Sequence, residues 1–550
     1  MDASTSTPNL SVISDCSSFS LEDASNTSIS TNLGVDTFIL EPLPSSINDL
    51  LNSNEAPLQS QVLQASLHGA ETMLSDLNRH LEQMKAEVAL FTAKRNQLIT
   101  MVDSYRNVLH PIRRTPPEVL LEIFSYGVQS VDTDYPEIYQ QVNSLDTNLA
   151  PWTFGQVCKH WRSIVLGCPR LWSSLSLDLS RIEHANPAKE QEVEYKAVSL
   201  LSHYLRRSKD CPLTIAVRST RPMHPIVSLI CAHSSRWSDV LLSLPAEGFR
   251  LLSTIKGCLP NLKTLHLRNT GSLENIWNVI PVIDAFEYAP SLYMIRAYEI
   301  PKIATKLLLP WAQITHCMNN FPNGEVLYRD TLNRENIEVL SKGVKLRHAT
   351  LLCSGYGPSL SITPLTHHSL AGLTIDLIRR SNPDLLIQLL DALTLPSLIS
   401  LRISVSSKHR VRPNVDPIVR LLERSNCTLI KLRLKGFKTN VEENSSFRSL
   451  LYLIQNSMEI LCLENFPNSL LNAFTVTEDE SPLLPRLRHL RVSGSCSPEM
   501  NQLLFVKMVE SRVKYTKFKA LVTSSQFVLT NPEARNRLDL LDNKCHPTSP

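Results

Sequence analysis

Arg402, Arg433 and Arg491 occupy one position in three of the last four copies of a short leucine pattern, spaced roughly thirty residues per copy. A guanidinium is planar, permanently charged and able to grip a carboxylate or phosphate through two parallel hydrogen bonds. If the copies stack, equal positions form a row, and a row of arginines favours an anionic partner. Lys431, Lys435 and His489 belong to the same copies, and Arg268 and Arg296 precede them. Lys and Arg also keep exposed sheet faces soluble, so a solvated face and a surface for an acidic ligand both fit. Other reactive side chains lack partners at the required spacing. Cys158 and His160, and the pair His367-His368, have no matching ligands for a metal. No GxGxxG, GxxxxGK[ST], GxSxG or HExxH occurs, and Gly is scarce at 15 of 550 residues, which disfavours phosphate-cradling loops. No catalytic residue, metal or cofactor is therefore expected.

The arginines depend for their placement on the pattern L-x-x-L-x-L. It fits at Leu262/Leu265/Leu267, Leu292/Ile295/Ala297, Leu346/Ala349/Leu351 and Leu370/Leu373/Ile375. It continues at Leu398/Leu401/Ile403, Leu429/Leu432/Leu434, Met458/Leu461/Leu463 and Leu487/Leu490/Val492, with a degenerate copy near Ile314. Earlier copies start at Trp172/Leu175/Leu177 and Trp237/Val240/Leu242. Apolar helical runs lie between copies, at Leu385 to Leu393, Ile418 to Leu422 and Phe447 to Ile454. Near the start, Ser174 to Leu179 alternates as a strand, a helix is expected from about Lys189 to Ser208, and Cys211 to Val217 is a second strand. The joint Leu205 to Leu213 is echoed at Leu422 to Leu429. Strand and helix alternating at this period indicate an α/β fold, an irregular leucine-rich-repeat solenoid over 173–515, followed by a C-terminal tail, 516–550.

The N-terminal part reads differently. Residues 1–56 are rich in Ser, Thr, Asn and Asp, the composition of a disordered tail. Over 57–109 the residues Leu63, Leu67, Ala70, Leu74, Leu77, Leu81, Met84, Val88, Phe91, Arg95, Leu98, Val102, Tyr105 and Leu109 recur in steps of four and three. This is a coiled-coil helix, with Arg95 alone breaking the seam. Such a helix needs a partner for its seam. A homodimer is one answer, and packing back on the repeats is the other.

Between helix and repeats lies 110–172. In His110 to Phe124, Thr115 is placed to cap a helix, Pro116 sits where a missing N–H costs nothing, and Gly127 is a plausible stop. Leu120, Ile123 and Phe124 share one face. A second helix pattern runs through Phe154, Val157, Cys158, Trp161, Ile164 and Val165, followed by Pro169-Arg170-Leu171-Trp172. The order Pro-Pro-Glu, Ile-Phe, Val-Cys-x-x-Trp-Arg and Leu-Trp resembles an F-box. It departs in having Thr115 where the family usually has Leu, and in the long insert from Ser125 to Ala150. The resemblance implies a substrate-recognition adaptor that docks on a Skp-type linker within a cullin–RING ubiquitin ligase. On that reading Pro116, Pro117, Leu120, Ile123, Phe124, Val157 and Trp161 form or support the linker surface, and Arg402, Arg433 and Arg491 face the target.

Composition is compatible with this. Net charge is +3, but residues 1–78 hold ten of the 52 acidic side chains and none of the 55 basic ones. The body is thus mildly basic, without a nucleic-acid motif. Twelve scattered cysteines without a C-x-x-C pair suit a reducing compartment, cytoplasmic or nuclear, and no run of apolar residues is long enough to cross a membrane. Nucleic acid and membrane are not expected partners. The runner-up is a scaffold joining two partners through coiled coil and solenoid, without a ubiquitin role.

Overall fold

A computed structural model describes residues 45–53, 60–128, 143–180, 187–222, 224–271, 280–300, 302–320, 332–354, 362–378, 381–405, 413–437, 445–464, 467–478, 481–492, 500–523 and 527–542. Most of the expected N-terminal tail lies outside these residues. The chain divides into two compact units, 1–115 and 116–550.

The first unit is dominated by one helix, Ser60–Leu109, with a short helix at Ser45–Ser53 before it. At 1.5 Å per residue, its 50 residues extend about 75 Å. None of those residues is buried. The helix ends at a single turn of 3₁₀ helix, Pro111–Arg114.

The second unit is built on one parallel sheet whose strands follow chain order. They are β1 (Ser174–Asp178), β2 (Leu213–Arg218), β3 (Trp237–Leu244), β4 (Thr264–Asn269), β5 (Met294–Tyr298), β6 (His316–Asn320) and β7 (His348–Cys353). They continue as β9 (Gly372–Leu377), β11 (Ser400–Val405), β12 (Lys431–Lys435), β13 (Ile460–Leu463), β14 (His489–Val492) and β15 (Ala520–Thr523). A separate two-stranded ribbon joins β8 (Leu365–Thr366) to β10 (Leu393–Thr394).

The register explains why the leucine pattern repeats. Leu175, Ile215, Val240, Leu265, Ile295 and Cys317 stand opposite one another on successive strands. The same ladder runs on through Ala349, Leu373, Leu401, Leu432, Leu461, Leu490 and Leu521. All but Leu521 are buried. Because side chains alternate across a strand, a slip of one residue would turn this whole row to the other face. Burying each Leu-sized side chain is worth about 1.5–3 kcal/mol, so the register is strongly specified.

Helices return the chain between strands and pack on one another. Asp384–Ala392 contacts Asp416–Ser425, which contacts Ser445–Leu453; Gln502–Tyr515 lies between Asn468–Phe474 and Pro532–Asp542. Arg512 is fully buried and donates to the carbonyls of Phe474, Leu483 and Leu484. The repeated joint seen in the sequence is a left-handed helix stop. Lys209 and Asn426 have φ of 44° and 46°, and each follows a serine, Ser208 just past the end of its helix and Ser425 at the end of its own. Asn tolerates this conformation better than Lys does.

Three expectations are corrected. The segment expected as a C-terminal tail from 516 instead contributes β15 and the helix Pro532–Asp542. The pattern positions here are Phe518, just before the strand, and Leu521 and Thr523 within it, so only one leucine marks it. Thr115 does not cap the helix after it: Pro116 holds the cap position without a side-chain bond, and the helix is Pro117–Gly127. The second helix pattern is two helices, Phe154–Val157 and Lys159–Gly167, broken at Cys158, whose extended backbone lets its Sγ accept from the Trp161 N–H at 3.4 Å.

Candidate functional surfaces

The helix Pro117–Gly127 has two faces with opposite fates. Leu120 and Phe124, four apart, are buried. The Phe124 ring stacks on Phe154 at 4.7 Å and tilts against Trp161 at 4.8 Å. Gly127 is the last residue of this helix, and its missing side chain matters: a Cβ there would stand 2.6 Å from the Phe154 ring. Arg162 secures the break in the second pattern by donating from Nε to the Gly155 carbonyl at 2.7 Å.

The other face carries Val119, Ile123 and Tyr126, spaced i, i+4, i+7 and therefore on one stripe. They are 49%, 50% and 83% exposed. Val157, at the end of the next helix, is 60% exposed. Pro116 and Pro117 are exposed, and Trp161 is half-buried. Of the seven residues expected at a linker surface, Pro116, Pro117, Ile123 and Val157 thus face solvent. Leu120 and Phe124 are core residues beneath them, and Trp161 lies between. Val119 and Tyr126 were missed in the sequence, although their helical spacing from Ile123 was there to read.

Behind these helices an aromatic cluster joins them to the sheet. Trp172 is buried, donates from Nε1 to the Val165 carbonyl at 3.0 Å, and meets Trp152 and Tyr204 edge-on at 4.9 and 5.2 Å. The Arg207 guanidinium lies 4.4 Å from the Trp172 ring centre and 4.8 Å from that of Trp152. Tyr204 donates its hydroxyl to the Ser174 carbonyl in β1. Trp152 donates to the Ser144 carbonyl, and Ser144 in turn bonds Ser176 along the outer edge of β1. The free edge of the sheet is thereby covered at this end, which removes a template for unwanted strand pairing.

The second surface is the sheet face opposite the leucine ladder. In the register, Arg402 stands directly beside Arg433. Cys462 follows, buried, and then Arg491, so the row is two adjacent arginines and a third beyond a gap. Arg402 is exposed, while Arg433 and Arg491 are half-buried. Lys431 and Lys435 flank Arg433 on the same strand face and are exposed. Among the described residues none of these five cations is in an ion pair. Asp376, half-buried on β9, is an acid that feels two of them, Arg402 and Lys435. Burial raises its carboxyl above the usual range, against the pull of Arg402 and Lys435 and a hydrogen bond with Ser404.

Further along the same face, His316 and His348 are register neighbours with rings stacked at 4.8 Å. Gly372, next in register, makes room: a Cβ there would collide with the His348 ring. Burial, then the charges of His348, Arg296 and Arg347, depress the His316 pKa. His367 is buried with Nε2 at 3.0 Å from the Gly343 carbonyl, and among the described residues no cluster could hold a metal ion. Among them, too, no helix is long and apolar enough to cross a membrane.

The fold defines a mixed α/β protein organised on a large parallel sheet. Comparison with known protein families and with curated proteins finds no match.

Proposed function

We propose that this protein is a substrate-recognition adaptor of a Skp–cullin–F-box ubiquitin ligase, with a leucine-rich-repeat solenoid as its target-binding body. The observation that carries the reading is the division of labour on Pro117–Gly127. Leu120 and Phe124 anchor the helix, while Val119, Ile123 and Tyr126 present an apolar stripe to solvent. Large apolar side chains gathered on one exposed stripe favour a partner that removes them from water. The residues beside the stripe, Pro116, Pro117 and Val157, belong to the same motif order that resembles an F-box.

Two further features support it. An adaptor works by holding a target near a conjugating enzyme, which is catalysis by proximity and demands a stiff connection. The Trp152–Trp172–Tyr204–Arg207 cluster supplies one between the short helices and β1. The chain-order sheet and its leucine ladder, which advances by 22–32 residues per strand from Ile215 onward, support a reading as stacked repeats. On this reading the target presents an acidic or phosphorylated segment to Arg402, Arg433 and Arg491.

The test uses the full chain and a purified Skp-type linker. Ile123→Asp with Val157→Asp should abolish linker binding while leaving the melting temperature unchanged, since both side chains already face solvent. Arg402→Glu with Arg433→Glu should leave linker binding intact and remove target capture. If the unaltered chain binds no linker, or binds it regardless of the Asp substitutions, the adaptor reading fails and a scaffold without ubiquitin chemistry takes its place.

A further inference from the structure

We infer that Ser60–Leu109 pairs with the same helix of a second copy, antiparallel, about a two-fold axis between Ala89 and Leu90. The inference is independent of the adaptor reading. It starts from the exposure of the seam: Leu67, Leu81 and Leu98 are 59%, 40% and 60% exposed, and no residue of the helix is buried. Positions a and d keep their spacing from Leu63 to Leu109, apolar except at Arg95, a strict seven-residue repeat that supercoils with a helix of equal period. A second copy has that period and length by construction.

Flanking charges choose the direction. In a parallel, in-register pair, positions g and e′ bring Glu87 to Thr92′, Lys94 to Ile99′ and His80 to Lys85′, and Arg95 meets Arg95′ in the seam. No opposite charges meet. In the antiparallel pair centred between Ala89 and Leu90, Glu87 faces Lys94′ and Glu71 faces Arg106′, and the two-fold axis repeats both contacts. Arg95 then lies opposite Met84′, with no like-charged group across from it. The seam layers become Leu74–Tyr105′, Leu77–Val102′, Leu81–Leu98′ and Val88–Phe91′. Within its own helix Arg106 reaches only Asp103, at 3.7 Å and well exposed, while Glu71, Glu87 and Lys94 make no ion pair among the described residues.

The area suffices. A Leu-sized side chain removes roughly 60–120 Å² from water when buried. The eleven apolar seam residues between Ala70 and Leu109 would bury, on two helices, at least about 1,300 Å² at the lower figure, within the range of stable specific interfaces. Because the overlap runs from residue 70 to 109, the two Leu109 ends stand about 58 Å apart along the axis.

The experiment is sedimentation equilibrium of the full chain. The expected mass is twice 61.9 kDa. Leu81→Lys with Leu98→Lys, which face each other across the axis, should return the mass to 61.9 kDa with helix content retained. The directional arm is a charge swap. Glu87→Lys turns two symmetry-related attractions into repulsions and should raise the dissociation constant about tenfold, roughly threefold for each contact. Adding Lys94→Glu should restore it. A chain that sediments at the single mass at every concentration overturns the pairing. A dimer indifferent to Glu87→Lys, or weakened by it and not restored by Lys94→Glu, overturns the antiparallel register and with it the inference.

Discussion

Replacing Trp172 tests whether the short helices and the sheet form one mechanical piece. Trp172 is 1% exposed and fills the space between Trp152, Tyr204 and the Arg207 guanidinium. Truncating a buried Trp to Ala costs about 3–5 kcal/mol through lost transfer energy and the cavity left behind. Two edge-on ring contacts and a cation over the face put this site at the upper end, about 5 kcal/mol. Trp172→Phe keeps most of the apolar contact but leaves the Val165 carbonyl without its 3.0 Å donor, a loss of about 1–2 kcal/mol. Hydrogen exchange reads such local openings directly. In the full chain, the amides of 143–152, Lys159–Gly167 and β1 should lose protection by roughly 3.5 orders of magnitude with Ala and about tenfold with Phe, at 1.4 kcal/mol per decade. Amides of β12 and β13, far along the sheet, should change little. Equal losses for Ala and Phe would refute the separation of packing from hydrogen bond. Unchanged protection with Ala would show that the cluster couples nothing.

Other expectations follow from single positions. Gly436 has φ of 78°, and a Cβ would stand 2.5 Å from the Val405 carbonyl oxygen and 2.9 Å from its Cβ. Gly436→Ala should therefore destabilise by several kcal/mol, more than about 3, whereas Gly372→Ala displaces only the exposed His348 ring and should cost far less; similar denaturation midpoints would contradict this. His316 is held below the ordinary histidine pKa of about 6.5, chiefly by burial. The folded chain thus resists a proton that the unfolded chain accepts, so its contribution is intact above about pH 6.5 and is lost as pH falls from there toward the depressed value. The melting temperature should drop between about pH 7.5 and 5.5, and His316→Gln should shrink that drop; identical drops in both proteins would rule out His316 as the cause.

The sequence determined the periodic features, because periodicity records which side of an element is removed from water. Leu265, Ile295, Leu373, Leu401, Leu432, Leu461 and Leu490 were marked by their spacing and stand on one ladder. The degenerate copy near Ile314 takes its place there through Cys317. Placing Arg402, Lys431, Arg433, Lys435 and Arg491 on the opposite face needed only strand alternation. The 50-residue helix was legible for the same reason.

Tertiary structure decided what periodicity leaves degenerate. Ile123 and Phe124 share a helical face in the sequence, yet only Phe124 is covered, because the Phe154 and Trp161 rings that meet it come from chain segments thirty or more residues away. Cys158 looks like one more apolar helix position, but its backbone is extended and splits the helix there. Asp376 came into register with Lys435, on the face that carries Arg402, through two strand crossovers, and Cys462 fell into the arginine row by the same register. β15 escaped notice because Leu521 is the one leucine at its pattern positions, and its place in the sheet comes from pairing with β14. A pattern within one element names the face that will be buried. Which neighbour buries it, and what that neighbour leaves exposed, depends on contacts between residues distant in the chain.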